Sequence, residues 1–456
     1  MDVVVIETPQ LGDRSYLVHD GRVGLVIDAQ RDTDRIEEAA RQAGVAITHV
    51  AETHVHNDYL TGGLILARAH GAKYLVNAAD SVAFEREPIT DGQTVQIGGF
   101  SLRAVATPGH THTHLSYVVT DGRTKAVFSG GSLLYGSVGR TDLAGPADTA
   151  GLARDQYASV RRLADEAGPD AALFPTHGFG SFCSTGPATG AAASTIREQR
   201  ATNHALTDPD PEHFVAELMA NLSAYPSYYA HMAPINMTGP EPADLSLPES
   251  LDGAELVSRL ARGEWVVDLR RRVLFASSHL MGTVSFEYGS GSSFSSYLGW
   301  VLPWGEKLTL VGDRKDLRSA IRDLSRIGID RPDAAVGTEP HALAPGAAVA
   351  SYPRAGWAAV VAEKPAGDTV LDVRRTEEFD ASHVADALNV PLHELLGRLD
   401  ELPPGRIWVH CNSGYRAGVA ASLLQREGRD VVHIDARFRE AAAAGVPMHL
   451  QQAQRL

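Results

Sequence analysis

Two stretches of this chain repeat one pattern. "GEWVVDLRRRVLFASSHLMGTV" begins at Gly263 and "GDTVLDVRRTEEFDASHVADALNV" begins at Gly367. Each offers a short apolar strand ending in Asp-Leu/Val-Arg, then a His beside a small-residue turn. A second strand follows each, "KLTLVGD" in the first and "RIWVHCN" in the second. A period of roughly a hundred residues is too long for a solenoid unit and means two copies of one domain. The second half is therefore expected to fold as tandem α/β units, at 251–338 and 359–456. The Pro-rich, aperiodic "HMAPINMTGPEPADLSLPES" precedes them and places a linker at 236–250. A second linker, 339–358, joins the copies.

Residues 1–235 read differently. "YLVHDGRVGLVIDA" is a hairpin with its turn at Asp20-Gly21. "RDTDRIEEAARQAG" has helical spacing and a Gly stop. "ITHVAETH" is an apolar strand that runs into a histidine motif, and "LTGGLILARAHG" is the helix after it. Short strands through Val127-Phe128 lead to an amphipathic stretch from Asp148 to Gly168. This is a strand-rich α/β pattern with helices between sheet segments.

Composition narrows the function classes. The chain has 456 residues, enough for about two to four domains. Its net charge of -15, with no Lys/Arg cluster, argues against a nucleic-acid partner. No apolar run reaches the about 18 residues of a transmembrane helix, so no membrane partner is expected. "MDVVVIETPQLGDRSYLV" lacks a basic n-region and a cleavage site, and reads as a first strand. The only cysteines are Cys183 and Cys411, which excludes a disulfide framework and fits a reducing cytoplasm.

The sharpest short motif is "VHCNSGYRAGVAASLLQREG". A strand runs into Cys411, the loop Asn412-Ser413-Gly414-Tyr415-Arg416 follows, and then a helix-forming stretch. Such a loop can aim backbone N–H groups inward, with the positive helix end behind them. A thiolate and an anion on its sulfur are stabilised there. Cysteine phosphatases place one more residue between Cys and Arg, which leaves room for a phosphate. The smaller ring here suits one extra sulfur atom, a cysteine persulfide. The loop, with "LDVRRTEEFDASHVADALNVP" upstream, resembles the rhodanese family of sulfurtransferases. The resemblance makes Cys411 and Arg416 the catalytic residues and 412–415 the persulfide loop. The first copy carries "LTLVGDRKDL" at that place, with Gly312 and Asp313, and has no nucleophile.

Histidines concentrate in the first half. "THVHNDY" (53–59), "TPGHTHTHLSY" (107–117), "VFSGGSLLYGSVGRTDL" (127–143) and "FPTHGFGSFCS" (174–184) occur in an order that resembles the metallo-β-lactamase fold. That resemblance implies an αββα sandwich with metal ligands on loops along one edge. His54, His56 and His110 match the family's first metal site. Three imidazoles with an open fourth position make a sound zinc site or a facial iron(II) site. Of the second site Asp58 and His177 remain, while Tyr59 and Gly131 stand where a His and a bridging Asp would be. One metal is expected, not two. His114 is a further candidate for ligand or supporting residue, with His112 beside it. "THGFGSFC" also resembles a stretch of metallo-β-lactamase–rhodanese fusions, which makes Cys183 a candidate sulfur-handling thiol.

A sulfur-carrying cysteine and a mononuclear pocket on one chain suggest persulfides of small thiols. The fusion resembles persulfide dioxygenases joined to rhodanese domains. That resemblance implies iron(II) as the cofactor, with zinc(II) the alternative because the Asp is Gly131 here. It also implies a low-molecular-weight thiol persulfide such as glutathione persulfide as substrate, thiosulfate or sulfite as partners in sulfur transfer, and a homo-oligomer. The competing readings are a zinc-dependent hydrolase and a sulfur-relay protein in which the C-terminal rhodanese alone is active.

Overall fold

The computed structural model describes residues 1–186, 192–289 and 293–450; the end of the last expected copy, 451–456, lies outside them. The chain forms two compact units. One is Met1–Asp244 with Asp323–Gly328, the other Leu245–Arg322 with Ile329–Leu456.

The first unit is built from two six-stranded sheets. The first runs in chain order through Asp2–Thr8, Asp13–His19, Val23–Ile27, Ala46–Ala51, Lys73–Asn77 and Glu87–Ile89. The second orders Ser194–Thr195, Ala172–Pro175, Lys125–Gly130, Leu115–Thr120, Phe100–Ala106 and Thr94–Ile97. Period-two alternation decides which side chain goes where. Tyr16, Val18, Leu25, Ile27, Ala51 and Leu75 meet Leu102, Ala104, Tyr117, Val119 and Phe128 in a core between the sheets. Their neighbours Leu17, Val26, Val50, Tyr74 and Val76 point the other way, against helices Asp34–Ala43 and Gly63–His70. Val105, Val118 and Val127 face helix Thr149–Ala167 on the outer side of the second sheet. The result is the expected αββα sandwich. The hairpin at Asp20-Gly21 is present, with Tyr16 paired to Ile27 and His19 to Gly24. Gly44 closes the first helix in the left-handed region, φ 67°.

The expected linker is shorter than the Pro content suggested. Helix Tyr229–Thr238 takes in all of "HMAPINMT", with Pro234 inside it. Proline costs a helix one hydrogen bond. Here Asn236 makes up for it by binding the histidine loop, as described below. Regular structure is absent between Gly239 and Glu249.

The second unit holds two parallel sheets, as the repeat required. One orders Val284–Ser285, Trp265–Asp268, Leu308–Gly312 and Asp333–Val336. The other orders Arg354–Ala355, Val431–Ile434, Ile407–His410, Thr369–Asp372 and Leu388–Asn389. The repeated residues repeat their bonds. Arg270 binds the Asp268 carboxylate and donates to Ser278 O, and Arg374 does the same with Asp372 and Ser382 O. His279 stacks on Phe275 at 3.9 Å, and His383 on Phe379 at 3.8 Å. The stretch 339–358 is not an idle connector. It carries helix Pro340–Leu343, and its Val349–Ala350 pairs with His279–Leu280.

Candidate metal centre and cysteine loop

The histidines gather where strands of both sheets end. Asp28 follows Val23–Ile27, Glu52 to His54 follow Ala46–Ala51, His110 follows Phe100–Ala106, Gly131 follows Lys125–Gly130, and His177 follows Ala172–Pro175. Loops at strand ends are free to present side chains that the sheets hold in register.

His54, His110 and His177 bring ligand atoms within 4.8 Å of one another, all buried. The hydrogen bonds behind each ring fix its tautomer. The Nδ1 of His110 lies 2.7 Å from Arg140 O, a pure acceptor, so Nδ1 carries the proton. Thr53 Oγ1 gives its hydrogen to Asp28 Oδ2 at 2.7 Å and therefore accepts from His54 Nδ1 at 2.9 Å. His177 Nδ1 faces Asp13 Oδ1 at 2.9 Å and Asp58 Oδ2 at 3.1 Å. All three rings thus turn Nε2 inward. His54 and His177 Nε2 are 3.4 Å apart, and His110 Nε2 has no hydrogen-bond partner among the described residues. A buried nitrogen lone pair without a partner is costly, and a cation bound by these three nitrogens removes the cost. The residues fit one metal ion.

The charges around the centre agree. Burial, then the neighbouring imidazoles, pushes His54 well below the usual histidine range. Burial and His177 push His110 down to about 3. Burial acts the same way on His177, but the Asp58 and Asp13 carboxylates outweigh it and hold that ring well above the usual range.

His56 departs from the expected trio. Its Nε2 turns to the Tyr59 hydroxyl at 3.0 Å, Glu52 at 3.3 Å and Asp28 at 3.4 Å. Burial opposes protonation of His56, but Asp28 and Glu52 prevail and raise it to about 9. The Nδ1 of His56 has no partner among the described residues, and His56, Asp58 and His177 form a second group of converging ligand atoms. Tyr59, at the family's histidine position, stacks on His56 at 4.3 Å. His114 is a strut: Nε2 accepts from Gly131 N–H at 3.0 Å and Nδ1 meets Thr107 Oγ1 at 2.8 Å. His112 stays on the surface, 3.7 Å from Asp148. Gly131 leaves no room for the missing carboxylate, since a Cβ there would stand 2.2 Å from His110 Cδ2.

Cys183 is fully buried, with Sγ 3.8 Å from the Tyr229 hydroxyl, and burial holds its thiol well above the usual range. Its carbonyl accepts from Arg140 N–H at 2.9 Å, so this cysteine supports the residue that orients His110. Sequence reasoning missed Asn236. Its amide donates to His56 O at 2.9 Å and Tyr59 O at 2.8 Å and accepts from Thr61 N–H at 2.9 Å. Thr53, Asp28, Glu52 and Arg140 were missed too, and only Glu52, inside "ETHVH", had a local cue.

In the second unit Cys411 sits at the end of strand Ile407–His410, ahead of helix Tyr415–Arg426. Gly414, at φ 91°, turns its N–H onto Cys411 Sγ at 3.2 Å. Its carbonyl accepts from His433 Nε2 at 2.9 Å. Arg416 forms a two-point pair with Glu378, at 2.5 and 2.8 Å. It therefore braces the loop as well as lining the adjoining cavity. That cavity, about 450 Å³, has Asn412, Ser413, Arg416 and Arg437 on its wall, with Arg272 and Tyr297 from the first copy. Glu287 is also on the wall and pairs with Arg272 at 2.5 Å, so the cavity presents arginines of which Arg272 and Arg416 already hold carboxylates. In the first copy Asp313 Oδ1 accepts from Lys315 and Asp316 N–H, both at 2.9 Å. A carboxylate there fills the anion-binding helix end.

Comparison with known proteins agrees with this architecture. The metallo-beta-lactamase superfamily matches residues 11–177, and the rhodanese-like domain matches 357–443. Human mitochondrial persulfide dioxygenase ETHE1 is 27% identical over 243 residues, covering 53% of this chain and 81% of that protein. A hydroxyacylglutathione hydrolase of Acidiphilium cryptum is 35% identical over 120 residues, covering 26% of this chain and 49% of that protein. In fold, a metallo-beta-lactamase from Staphylococcus aureus superposes with TM-score 0.66 at 23% identity, over 74% of this chain and 99% of that one. Among the described residues no helix is long and apolar enough to cross a membrane. The chain is a fusion of a metallo-β-lactamase-fold domain with a C-terminal rhodanese domain.

Proposed function

We propose that the protein is a cytoplasmic enzyme of sulfur metabolism that oxidises a low-molecular-weight thiol persulfide at its first unit and transfers sulfur through Cys411 at its second. The observation that carries this reading is the trio of inward Nε2 atoms on the same chain as a persulfide-sized cysteine loop. The likeness to persulfide dioxygenases supports it. The expected first reaction takes RSSH, O₂ and water to RSH, sulfite and two protons. The outer sulfur is oxidised and O₂ is reduced. His54, His110 and His177 would hold iron(II), which supplies open coordination positions and redox chemistry when bound. Asp28, through Thr53, keeps His54 Nε2 free of a proton. Arg140 does the same for His110, and the sheets exclude water behind all three rings. In the second reaction the Cys411 sulfur attacks the outer sulfur of thiosulfate or of a persulfide. The donor's S–S bond breaks, sulfite or thiolate leaves with its electron pair, and Cys411 keeps the outer sulfur as a persulfide. The cysteine-less block 251–338 acts here as a wall of the transfer cavity.

Gly131 favours a second reading, a zinc-dependent hydrolase or sulfur-delivery enzyme. Three imidazole nitrogens with no carboxylate at position 131 suit zinc(II), which polarises a thioester or activates water. Oxygen uptake separates the two. Protein purified without oxygen and fully loaded with iron should consume O₂ with glutathione persulfide and release sulfite. No uptake in that state would leave the zinc reading and the sulfur-relay reading, which thioester hydrolysis by the zinc-loaded protein then separates.

A further inference from the structure

A second set of ligating side chains stands apart from the metal centre. His204 and Asp208 are four residues apart at the short helix His204–Thr207, and His213 and Glu217 are four apart on helix Pro211–Ala220. Spacing of four puts both members of a pair on one helical face, and the turn at 208–210 brings the two faces together. Ligand atoms of all four residues lie within 4.8 Å of one another. His213 Nδ1 is 2.7 Å and His204 Nε2 is 3.3 Å from the same oxygen, Asp208 Oδ2. His204 Nδ1 is 2.9 Å from Glu217 Oε2.

A neutral imidazole carries one N–H, yet both nitrogens of His204 face carboxylates, which only accept. A dication is a partner that the two rings and the two carboxylates can share. The spacing suits a cation. Nitrogen and oxygen ligands about 2.0–2.1 Å from a tetrahedral ion stand about 3.3 Å from each other. Two carboxylates also neutralise a dication. Asp208 is the fixed member: its other oxygen accepts from Asp210 N–H at 2.9 Å, and its carbonyl accepts from the Tyr157 hydroxyl at 2.9 Å. His204, His213 and Glu217 are exposed enough to turn toward an ion. A cavity of about 250 Å³ opens beside His204 and Glu217, with room for solvent on the ion.

We propose that His204, Asp208, His213 and Glu217 form a second divalent-cation site, of zinc-class preference, that clasps the two helical segments. The full-length chain and its H213A/E217Q variant, each equilibrated with zinc and freed of excess, are compared for metal content by mass spectrometry. The wild type should retain one equivalent more per chain than the variant. In cobalt titrations it should show visible bands that the variant lacks. Equal zinc content with identical cobalt spectra overturns the proposal and leaves an ion network without metal. If the double variant fails to fold, Glu217→Gln alone, which alters one exposed carboxylate, carries the same comparison. His54, His110 and His177 are untouched throughout, so the result is independent of the first metal centre.

Discussion

At position 131 the site excludes a side chain. His110 is pinned from behind by Arg140 O, and its ring fills the space a Cβ would need, with Cδ2 at 2.2 Å and Nε2 at 2.7 Å. Restoring the family's carboxylate should therefore harm the centre. Gly131→Asp is expected to weaken metal binding and to destabilise the first unit by about 1–3 kcal/mol, the usual cost of overpacking. Chelator competition and denaturant unfolding would read both effects; tighter iron binding at unchanged stability would mean that the His110 ring swings aside. At this scale the sequence exposed His54 and His110, because "THVH" and "TPGH" are local patterns at strand ends. It assigned His177 to a second site with Asp58; in the fold His177 lies 3.1 Å from Asp58 and also turns its Nε2 toward His54. It grouped His56 with the trio, and only the fold turns that ring to Tyr59 and Glu52. The residues that set the tautomers were hidden because they act at long range. Thr176 donates to Asp28 across 148 positions, and Asn236 holds His56 across 180.

Elements explain why the cysteine loop keeps its shape. Helix Thr376–Ala381 brings Glu378 to Arg416, whose side chain anchors the start of helix Tyr415–Arg426. Burial would raise Glu378, but Arg416 outweighs it and holds the carboxyl down to about 2 from 4.5. A carboxyl lowered by folding contributes stability that is complete above its unfolded value and is lost as the pH falls toward the folded one. The clamp should therefore weaken between pH 4.5 and 2, by at most about 3 kcal/mol before solvent screening trims it. Urea unfolding across that range should show the acid loss in the wild type and a flatter curve in Glu378→Gln. Equal slopes would mean that the pair contributes nothing. The repeated blocks were legible because "DLRRRVLFASSH" and "DVRRTEEFDASH" carry the same internal bonds. Helix Tyr229–Thr238 was not, because its stability comes from Asn236 and packing, which override an unfavourable Pro234.

The proposed function sets two chemistries on one chain, and on that reading they should separate cleanly. Cys411→Ser keeps the loop's volume and removes the atom that would carry sulfur. His110→Ala removes one of three nitrogens and leaves the other unit intact. Thiosulfate:cyanide transfer should fall to background in Cys411→Ser and stay within about twofold of wild type in His110→Ala, because the loop takes nothing from the first unit's ligands. Oxygen uptake with glutathione persulfide should show the reverse. The products then report on the link. Sulfite released by the first reaction can take the outer sulfur of a second persulfide, giving thiosulfate and thiol. Wild type should accumulate thiosulfate, and Cys411→Ser should accumulate sulfite. An equal mixture of the two variants supplies both activities on different chains. If joining them raises the local concentration of sulfite or persulfide, the mixture should yield less thiosulfate per O₂ than wild type at the same number of intact sites. Identical yields would mean that the intermediates equilibrate with solvent and that the fusion only fixes a one-to-one ratio of the two sites.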